Sequence, residues 1–322
     1  MKYLVVGGAG FIGSYCIDLL LGNLNTKLVR VYDNFSSGKM WHLSHHISDQ
    51  RLEIISKDIY DEDIFAAAKD IDVTFLFAAN PDIARAVTEP DIDFKQGTAL
   101  TQITLEALRK SKCSRLLYAS GSGVYGDTKE LAVSEDFSPM EPISTYGASK
   151  LGCEVLISSY CHMFGLKASA FRFGNVVGGR QTHGVAYDFI KRLRINPFCL
   201  DILGDGSQSK PYVFIDDVMD AMEVVLNSQK KNFDVFNVAP LDFTSVTEIA
   251  NMVLDGMLIS RSKCKLMYSG GNRGWKGDVP IVRLNTSKIR GLGWRNHFSS
   301  NDAVQKSIGE MLNNSESLYG ND

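Results

Sequence analysis

The sequence predicts an α/β fold, in which a doubly wound parallel sheet is followed by a smaller C-terminal cap. In the first half, short apolar segments alternate with stretches long enough for crossover helices, which is the pattern of a parallel sheet with helices on both faces. The crossovers are expected to be right-handed. After about Gly174 the alternation is lost, and glycines and prolines interrupt the pattern. The candidate strands are residues 3–6, 28–32, 52–55, 74–77, 116–119 and 168–173.

Composition excludes several classes of protein. The 322 residues are 44% hydrophobic and 22% charged, as in ordinary globular proteins. A formal net charge of −3 gives no field that would favour nucleic acid or an acidic membrane surface. The longest apolar runs, such as residues 73–79, are far short of a membrane span, and the N-terminal apolar run leads into glycines rather than a cleavage site.

The six cysteines carry no CxxC motif and no regular spacing. In a chain of this size they are interpreted as reduced thiols of the core. A cytoplasmic location follows from this interpretation, and no metal site is expected from the sequence.

A glycine-rich segment follows the first candidate strand. Gly7, Gly10 and Gly13 precede a predicted helix over residues 14–21, which is the context that a dinucleotide-binding turn requires. The first glycine allows a tight turn, the second allows backbone to approach a pyrophosphate, and the third lets helix and strand pack closely. N–H groups at the start of the helix would then face the phosphates. The first half is therefore predicted to be Rossmann-like.

An aspartate ends the second candidate strand. Asp33 lies twenty residues after Gly13 and can accept hydrogen bonds from both hydroxyls of an adenosine ribose. A 2′-phosphate would meet this carboxylate, so NAD is favoured over NADP. The other residues predicted to line the cofactor lie beside the glycine turn or at strand ends: Phe11, Ile12, Asn34, Asp58, Ile59, Phe77, Ala78 and Ala79.

A tyrosine and a lysine are spaced for one helix face. Tyr146 and Lys150 are four residues apart, which places their side chains side by side on a helix. A free tyrosine has a pKa of about 10 and is a poor base at neutral pH, but a neighbouring ammonium favours the phenolate. Lys150 can also hold the nicotinamide ribose, while Tyr146 takes a proton from a sugar hydroxyl as hydride leaves its carbon.

With these motifs the chain resembles the extended short-chain dehydrogenase/reductase superfamily, and within it the nucleotide-sugar 4-epimerases of the UDP-galactose type. The resemblance covers roughly residues 1–312. It implies an NAD-binding Rossmann domain over residues 1–174, to which some later segments return, a nucleotide-sugar-binding cap over 175–312, and a polar tail over 313–322. The motifs that carry it are residues 78–81 (AANP), 124–126 (VYG), 146–150 (YGASK), 175–178 (NVVG), 182–185 (THGV), 203–208 (LGDGSQ) and 273–278 (RGWKGD).

The resemblance also implies roles for residues of the cap. Asn175 would hold a diphosphate oxygen or a sugar hydroxyl. Lys210 and Arg273 would neutralise the diphosphate, and Asp278 would bind the ribose of the nucleotide. The substrate would be a sugar joined to a nucleotide diphosphate.

The chain departs from this family at two positions. Family members usually carry serine or threonine where Gly121 stands, and that hydroxyl bonds the reacting sugar oxygen. Ser122 or Ser120 would have to substitute, or water would, and Ser122 is the predicted third catalytic residue. A helix asparagine of the family is replaced by Gly97.

The expected reaction is 4-epimerisation through a 4-keto sugar, with Tyr146 moving the C4 hydroxyl proton and NAD+ accepting and returning the hydride. A 4-dehydrogenase that stops at the ketone and a 4,6-dehydratase are alternatives, as is an NAD-binding regulatory protein without catalysis. Dehydratases carry Thr-Asp-Glu where this chain has residues 121–123 (GSG). The resemblance further implies a homodimer, formed by the helix around residues 98–109 and the helix carrying Tyr146.

Overall fold

A computed structural model describes residues 1–61, 63–228 and 230–314. Residues 315–322 of the predicted polar tail lie outside the described residues. The strands are β1 (Lys2–Val6), β2 (Leu28–Asp33), β3 (Leu52–Ser56), β4 (Val73–Leu76), β5 (Arg115–Gly121), β6 (Lys167–Phe173), β7 (Asn175–Val177), β8 (Cys199–Ile202), β9 (Ser209–Lys210), β10 (Tyr212–Phe214), β11 (Phe233–Val238), β12 (Thr244–Ser245) and β13 (Lys265–Tyr268).

The helices connect these strands and cover them. The α-helices are α1 (Phe11–Gly22), α2 (Asp63–Ala67), α3 (Leu100–Ser111), α4 (Thr145–Phe164), α5 (Val185–Ile195), α6 (Ile215–Ser228), α7 (Val246–Gly256), α8 (Ser287–Gly291) and α9 (Ser300–Asn313). Short 3-10 helices cover Met40–His46, Ile83–Val87 and Ser122–Tyr125, and a π-helix covers Phe94–Ala99 immediately before α3.

The described residues form a seven-stranded central sheet in the order β11-β6-β5-β4-β1-β2-β3. The pairs β1–β2, β2–β3, β1–β4 and β4–β5 are parallel. All six strands predicted from the sequence are present, with ends shifted by at most two residues, and β11 is an additional strand that the sequence analysis did not identify. The predicted Rossmann-like sheet is therefore confirmed.

The chain divides into two compact units. Of the described residues, the first comprises those within 1–124, 145–172 and 219–236, and the second comprises those within 125–144, 173–218 and 237–314. In the first unit one buried apolar cluster contains Val6 and Leu116 of the sheet together with Leu105 of α3 and Ile157 of α4. Strand β4 is buried along its whole length, as expected for a central parallel strand covered on both faces.

The second unit is built on three two-stranded sheets: β7 with β10, β9 with β12, and β8 with β13. Its interior includes the side chain of Trp294, whose indole Nε1 donates to the Asp217 carbonyl oxygen at 2.8 Å. The N-terminus of α7 is closed by a capping box between Ser245 and Glu248, which satisfies two N–H groups that the helix cannot pair internally.

None of the helices in the described part of the chain is long and apolar enough to cross a membrane. All six cysteines lie among the described residues and are free thiols, and five of them are buried. Their interpretation as thiols of the core is therefore confirmed for those five, while Cys199 is partly exposed.

Candidate active site

The glycine turn after β1 has the geometry that its sequence predicts. Gly7 has a φ of +81°, and a Cβ on it would lie 2.5 Å from the backbone nitrogen of Ala78. A Cβ on Gly13 would lie 2.3 Å from the Gly7 carbonyl oxygen. A larger residue at Gly7 would push the turn away from the segment after β4, and one at Gly13 would push α1 away from the turn, because these contacts are to backbone that cannot rotate away.

Helix α1 begins directly after this turn. Its N-cap is Gly10, which has no side chain to cap the N–H groups of the first turn. Four such N–H groups lack partners inside any helix, and with the helix dipole they form a site for phosphate. Phe11 and Ile12 form the first turn of α1. The turn therefore fits the pyrophosphate of a dinucleotide.

Asp33 ends β2 beside the glycine turn. Its carboxylate accepts hydrogen bonds from the backbone nitrogens of Ala9 at 2.8 Å and Phe35 at 2.9 Å. Burial raises the pKa of the Asp33 carboxyl, and these two backbone hydrogen bonds act in the opposite direction. A carboxylate offers about four acceptor positions, so two remain for the hydroxyls of a ribose.

The remaining residues predicted to line the cofactor lie in the same unit. The Asn34 amide donates to the Asp58 carboxylate at 2.8 Å, which links the ends of β2 and β3. Ile59 is buried. Phe77 and Ala78 each donate a backbone hydrogen bond to the Val6 carbonyl oxygen, which fixes the segment that continues through Ala79 beside the end of β1.

Tyr146 and Lys150 lie on one face of α4, as the spacing predicts. The Lys150 Nζ is 5.5 Å from the centroid of the Tyr146 ring and donates to the Ala119 carbonyl oxygen at 2.7 Å. Lys150 is buried and Tyr146 is partly exposed. The Lys150 ammonium is thus held inside the protein, while the Tyr146 phenol is accessible to a substrate.

A buried aspartate that the sequence analysis missed positions the start of α4. The Asp93 carboxylate accepts hydrogen bonds from Asn80 at 2.9 Å and from Thr145 at 2.7 Å. Its backbone carbonyl accepts one from the Ser149 hydroxyl at 2.7 Å. Asp93 therefore connects the residue before Tyr146 with the segment after β4. No local pattern marks it, because its partners are distant in sequence.

Gly97 is explained by packing against α4. It lies in the π-helix, and a Cβ on it would lie 2.2 Å from the Ser149 hydroxyl oxygen. An asparagine here would displace Ser149, which is adjacent to Lys150 and bonds Asp93. The glycine therefore allows the close approach of the π-helix, a conformation that often marks functional sites.

The two serines near the end of β5, Ser120 and Ser122, have different environments. The Ser120 hydroxyl donates to the Glu154 carboxylate at 2.5 Å and is buried, so its hydrogen is used inside the protein. Ser122 is partly exposed at the start of a 3-10 helix. The hydrogen bond to Glu154 therefore disfavours Ser120 as a replacement for the missing hydroxyl, and Ser122 stays the predicted third catalytic residue.

Glu154 belongs to a buried ion pair that the sequence analysis also missed. The Arg172 guanidinium donates to Glu154 at 2.6 Å and 3.0 Å, and both side chains are at least 96% buried. Two features could have indicated it: Glu154 is eight residues after Tyr146 on the same helix, and Arg172 interrupts an apolar strand.

In the second unit, the predicted substrate residues form a connected set. The Lys210 Nζ donates to the Asp278 carboxylate at 2.6 Å, and the Gly274 backbone nitrogen donates to its other oxygen at 3.0 Å. The Arg273 guanidinium donates to the Asp278 carbonyl oxygen at 2.6 Å. Lys210, Arg273 and Asp278 are therefore brought together from positions up to 68 residues apart.

Asp127 is a further member of this set. Its carboxylate accepts from Arg273 at 2.6 Å and from Lys129 at 2.8 Å, and the Lys129 hydrogen bond is the main cause that lowers the pKa of Asp127.

Asn175, the fourth predicted substrate residue, begins β7 and pairs in register with Tyr212 of β10. Burial raises the pKa of Tyr212, whereas a side-chain hydrogen bond with Asn175 lowers it.

A parallel sheet with a dinucleotide turn, and a helix that presents a tyrosine beside a buried lysine, define an enzyme of the extended short-chain dehydrogenase/reductase class. The model of the NAD dependent epimerase/dehydratase family matches residues 3–239. The protein belongs to this family, and its cofactor is NAD.

Relatives of known name are similar over nearly the whole chain. A putative UDP-glucose 4-epimerase of Methanocaldococcus jannaschii is 29% identical over 97% of this chain and 98% of its own length. A crystal structure of a UDP-galactose 4-epimerase is 34% identical, with a TM-score of 0.86 over 97% of this chain and 99% of that one. A dTDP-glucose 4,6-dehydratase from Streptomyces venezuelae, solved with NAD and TYD bound, is 25% identical, with a TM-score of 0.90 over 99% of both chains.

Proposed function

We propose that the protein is an NAD-dependent nucleotide-sugar 4-epimerase that works through a 4-keto sugar. The observation that carries the proposal is the pairing of a partly exposed Tyr146 with a buried Lys150, in a loop environment without an acid at residues 121–123. This set provides proton transfer at one hydroxyl, but no group that would expel a second one. The named 4-epimerases among the relatives support the same reaction.

Each of the three predicted catalytic residues, all in the first unit, then has a role. Tyr146 as phenolate removes the C4 hydroxyl proton and later returns it to the same oxygen. Lys150, whose Nζ lies 5.5 Å from the centroid of the Tyr146 ring, would hold the nicotinamide ribose. Ser122 donates a hydrogen bond to the C4 oxygen. NAD, which the glycine turn, Asp33 and Lys150 would hold, would supply a reversible hydride acceptor for C4, with no net consumption of cofactor.

The second unit supplies groups suited to the nucleotide diphosphate. Lys210 and Arg273 would pair with the diphosphate oxygens in place of Asp278 and Asp127, which now neutralise them. Asp278 would then bind the ribose, and Asn175 a diphosphate or sugar oxygen. NAD binding is assigned to residues 1–174 and substrate binding mainly to 175–312. The free cysteines support a reducing compartment, the cytoplasm.

A 4,6-dehydratase is the second candidate, because the similarity to the Streptomyces venezuelae enzyme favours it. That reaction needs an acid to protonate the departing C6 hydroxyl. Residues 121–123 offer none, and the carboxylate that contacts this loop, Glu154, is bound to Arg172 in the interior. If no group replaces the hydroxyl missing at Gly121, the reaction is expected to stop at the ketone, and the protein would be a 4-dehydrogenase.

The reaction is tested by incubating the protein with UDP-, GDP-, dTDP- and CDP-sugars and analysing the products by mass spectrometry and chromatography. A product of unchanged mass with inverted C4 supports the epimerase. Loss of one water identifies a dehydratase, and stoichiometric NADH with a ketone identifies a dehydrogenase. Nucleotides released from the purified protein identify the bound cofactor and direct the choice of sugar.

The cofactor preference depends on Asp33. The protein is expected to bind NAD far better than NADP, because a 2′-phosphate would face a buried carboxylate, and Asp33→Ala should reduce this preference. Binding is measured by quenching of protein fluorescence. Asp33→Asn is a second variant: it removes the charge but keeps only one acceptor oxygen for the Ala9 and Phe35 nitrogens, which bond different carboxylate oxygens, so it should also reduce the preference. Equal affinity of the unmutated protein for both cofactors would contradict the assignment.

Ser122 is expected to replace the hydroxyl that Gly121 lacks. Loss of a donor at a reacting oxygen typically costs about 10²- to 10³-fold in rate, so Ser122→Ala should lower turnover by that factor. A Cβ on Gly121 would have no heavy atom within 4 Å among the described residues, so Gly121→Ser should fit and change turnover little. Turnover and nicotinamide absorbance are measured together.

Ser120→Ala is the matched control for this loop. Because Ser120 bonds Glu154, its loss should reduce stability more than turnover. Accumulation of NADH and ketone in the parent protein would show that nothing replaces the hydroxyl. Rapid epimerisation that is unaffected by Ser122→Ala would show that water or another residue holds the oxygen.

We also propose that the protein is a homodimer formed through α3 and α4. The two helices are joined by hydrogen bonds of the Tyr160 hydroxyl, which donates to Glu106 at 2.6 Å and accepts from Gln102 at 2.7 Å. On α4, Val155 is 62% exposed and Met163 is 71% exposed. Exposed apolar side chains along one helix are the kind of surface that a two-fold interface covers.

Light scattering at micromolar concentration should give twice the mass of the chain. Val155→Asp should shift the population toward monomer, because a charge would be buried in the interface. Leu24→Asp, at a residue that is 93% exposed beyond α1, should leave the mass unchanged. A monomeric parent protein would refute the proposal.

A further inference from the structure

We propose that Asp18, His45 and His46 form a binding site for Zn²⁺ on the NAD-binding unit. Asp18 lies on α1, and the two histidines end the 3-10 helix Met40–His46. The Nε2 atoms of His45 and His46 lie 2.8 Å and 2.9 Å from the same Asp18 carboxylate oxygen. The three donor atoms are all within 4.8 Å of one another.

The donor set has the chemistry of a zinc site. Imidazole nitrogens and a carboxylate oxygen are ligands of Zn²⁺, and three protein ligands with one open position form a common arrangement. Bonds of about 2.0–2.1 Å in a tetrahedron place ligand atoms roughly 3.3 Å apart. The present separations from Asp18 therefore need to open by only about 0.5 Å, which rotations of side chains provide.

The site is accessible to an ion from solvent. The side chains of Asp18, His45 and His46 are 30%, 45% and 21% exposed. A water molecule can thus complete the coordination, and the ion need not lose all of its hydration. The nearby carboxylate of Asp49 is engaged by the Arg51 guanidinium at 2.7 Å, so it is not counted among the ligands.

The site connects two parts of the cofactor-binding region. The 3-10 helix Met40–His46 that carries the two histidines is also tied to Ala9. The backbone nitrogen of Lys39, which precedes this helix, donates to the Ala9 carbonyl oxygen at 2.9 Å, and the His42 ring contacts the same oxygen at 2.6 Å. Ala9 lies in the glycine turn. A bound ion would fasten the segment to α1, so Zn²⁺ should stabilise the fold through binding to the native state.

The test uses protein without a histidine tag, freed of metal by a chelator and then dialysed. Competition with a chromophoric zinc indicator should reveal one saturable site per chain, and Zn²⁺ should raise Tm. His45→Gln, His46→Gln and Asp18→Asn should each weaken binding at least about 10- to 100-fold, since even partners that only orient ligands are worth that much. His162→Gln, at an exposed histidine of α4, should bind like the parent.

The visible spectrum of the Co²⁺ form provides a second readout, which should be lost in the three variants and kept in the control. Turnover without added metal should be unchanged in all of them, because none of these residues has a role in proton or hydride transfer. If the parent binds no Zn²⁺, or if the three variants bind it like His162→Gln, the cluster is only a hydrogen-bonded surface group and the proposal is overturned.

Discussion

Replacement of Tyr146 by phenylalanine should abolish measurable turnover while leaving NAD binding intact. The change removes only the hydroxyl, and proton transfer by a positioned side chain contributes about 10²- to 10⁴-fold to rate. The ring, the buried Lys150 and its hydrogen bond to Ala119 should remain in place. Turnover of the cognate sugar and NAD affinity are measured on the same preparation.

A second tyrosine provides the control for this change. Tyr3 is the second residue of β1, and its hydroxyl donates a hydrogen bond to the Met1 sulfur at 3.4 Å, away from the predicted catalytic residues, so Tyr3→Phe should retain full turnover. A fully active Tyr146→Phe would falsify the proposed proton transfer, whatever the sugar. Loss of NAD binding in the same variant would instead indicate a structural effect on α4.

Replacement of Glu154 by glutamine should strongly destabilise the fold. The substitution keeps the shape but leaves the Arg172 guanidinium without its countercharge in a site where both side chains are at least 96% buried. Removing one partner of a buried ion pair typically costs about 3–5 kcal/mol. Chemical denaturation monitored by circular dichroism should show this loss in the free energy of unfolding.

The matched control is Glu89→Gln, which breaks the exposed pair with Arg85. Exposed pairs one helical turn apart contribute only about 0.3–0.5 kcal/mol, so this variant should be almost as stable as the parent. The double variant Glu154→Met with Arg172→Met should recover much of the stability, because it removes both charges. A loss below about 1 kcal/mol for Glu154→Gln would mean that water reaches the pair.

The destabilisation has a consequence for the site. Glu154 also accepts the hydrogen bond of Ser120, which directly precedes the loop carrying Gly121 and Ser122. The ion pair thereby joins β6, α4 and the end of β5. Glu154→Gln at a temperature where the protein stays folded should therefore lower turnover more than NAD affinity.

The sequence by itself determined those features that depend on neighbours along the chain. Alternating apolar segments located six strands, because a buried parallel strand must be apolar whatever packs against it. The spacing of Gly7, Gly10 and Gly13 located the turn, since a Cβ on Gly7 or Gly13 would overlap neighbouring backbone. A separation of four residues placed Tyr146 beside Lys150, because the helix repeat alone fixes that relation.

Only the tertiary structure decided what distant residues do to one another. The Ser120 hydroxyl hydrogen-bonds Glu154, and Gly97 leaves the space that the Ser149 hydroxyl occupies. Arg273 donates to Asp127, which is 146 positions away in the sequence. These contacts leave no periodic signal, because they depend on how strands and helices pack after each has formed. A hydroxyl or a charge in the sequence is free to serve several partners, and burial beside one of them selects its role.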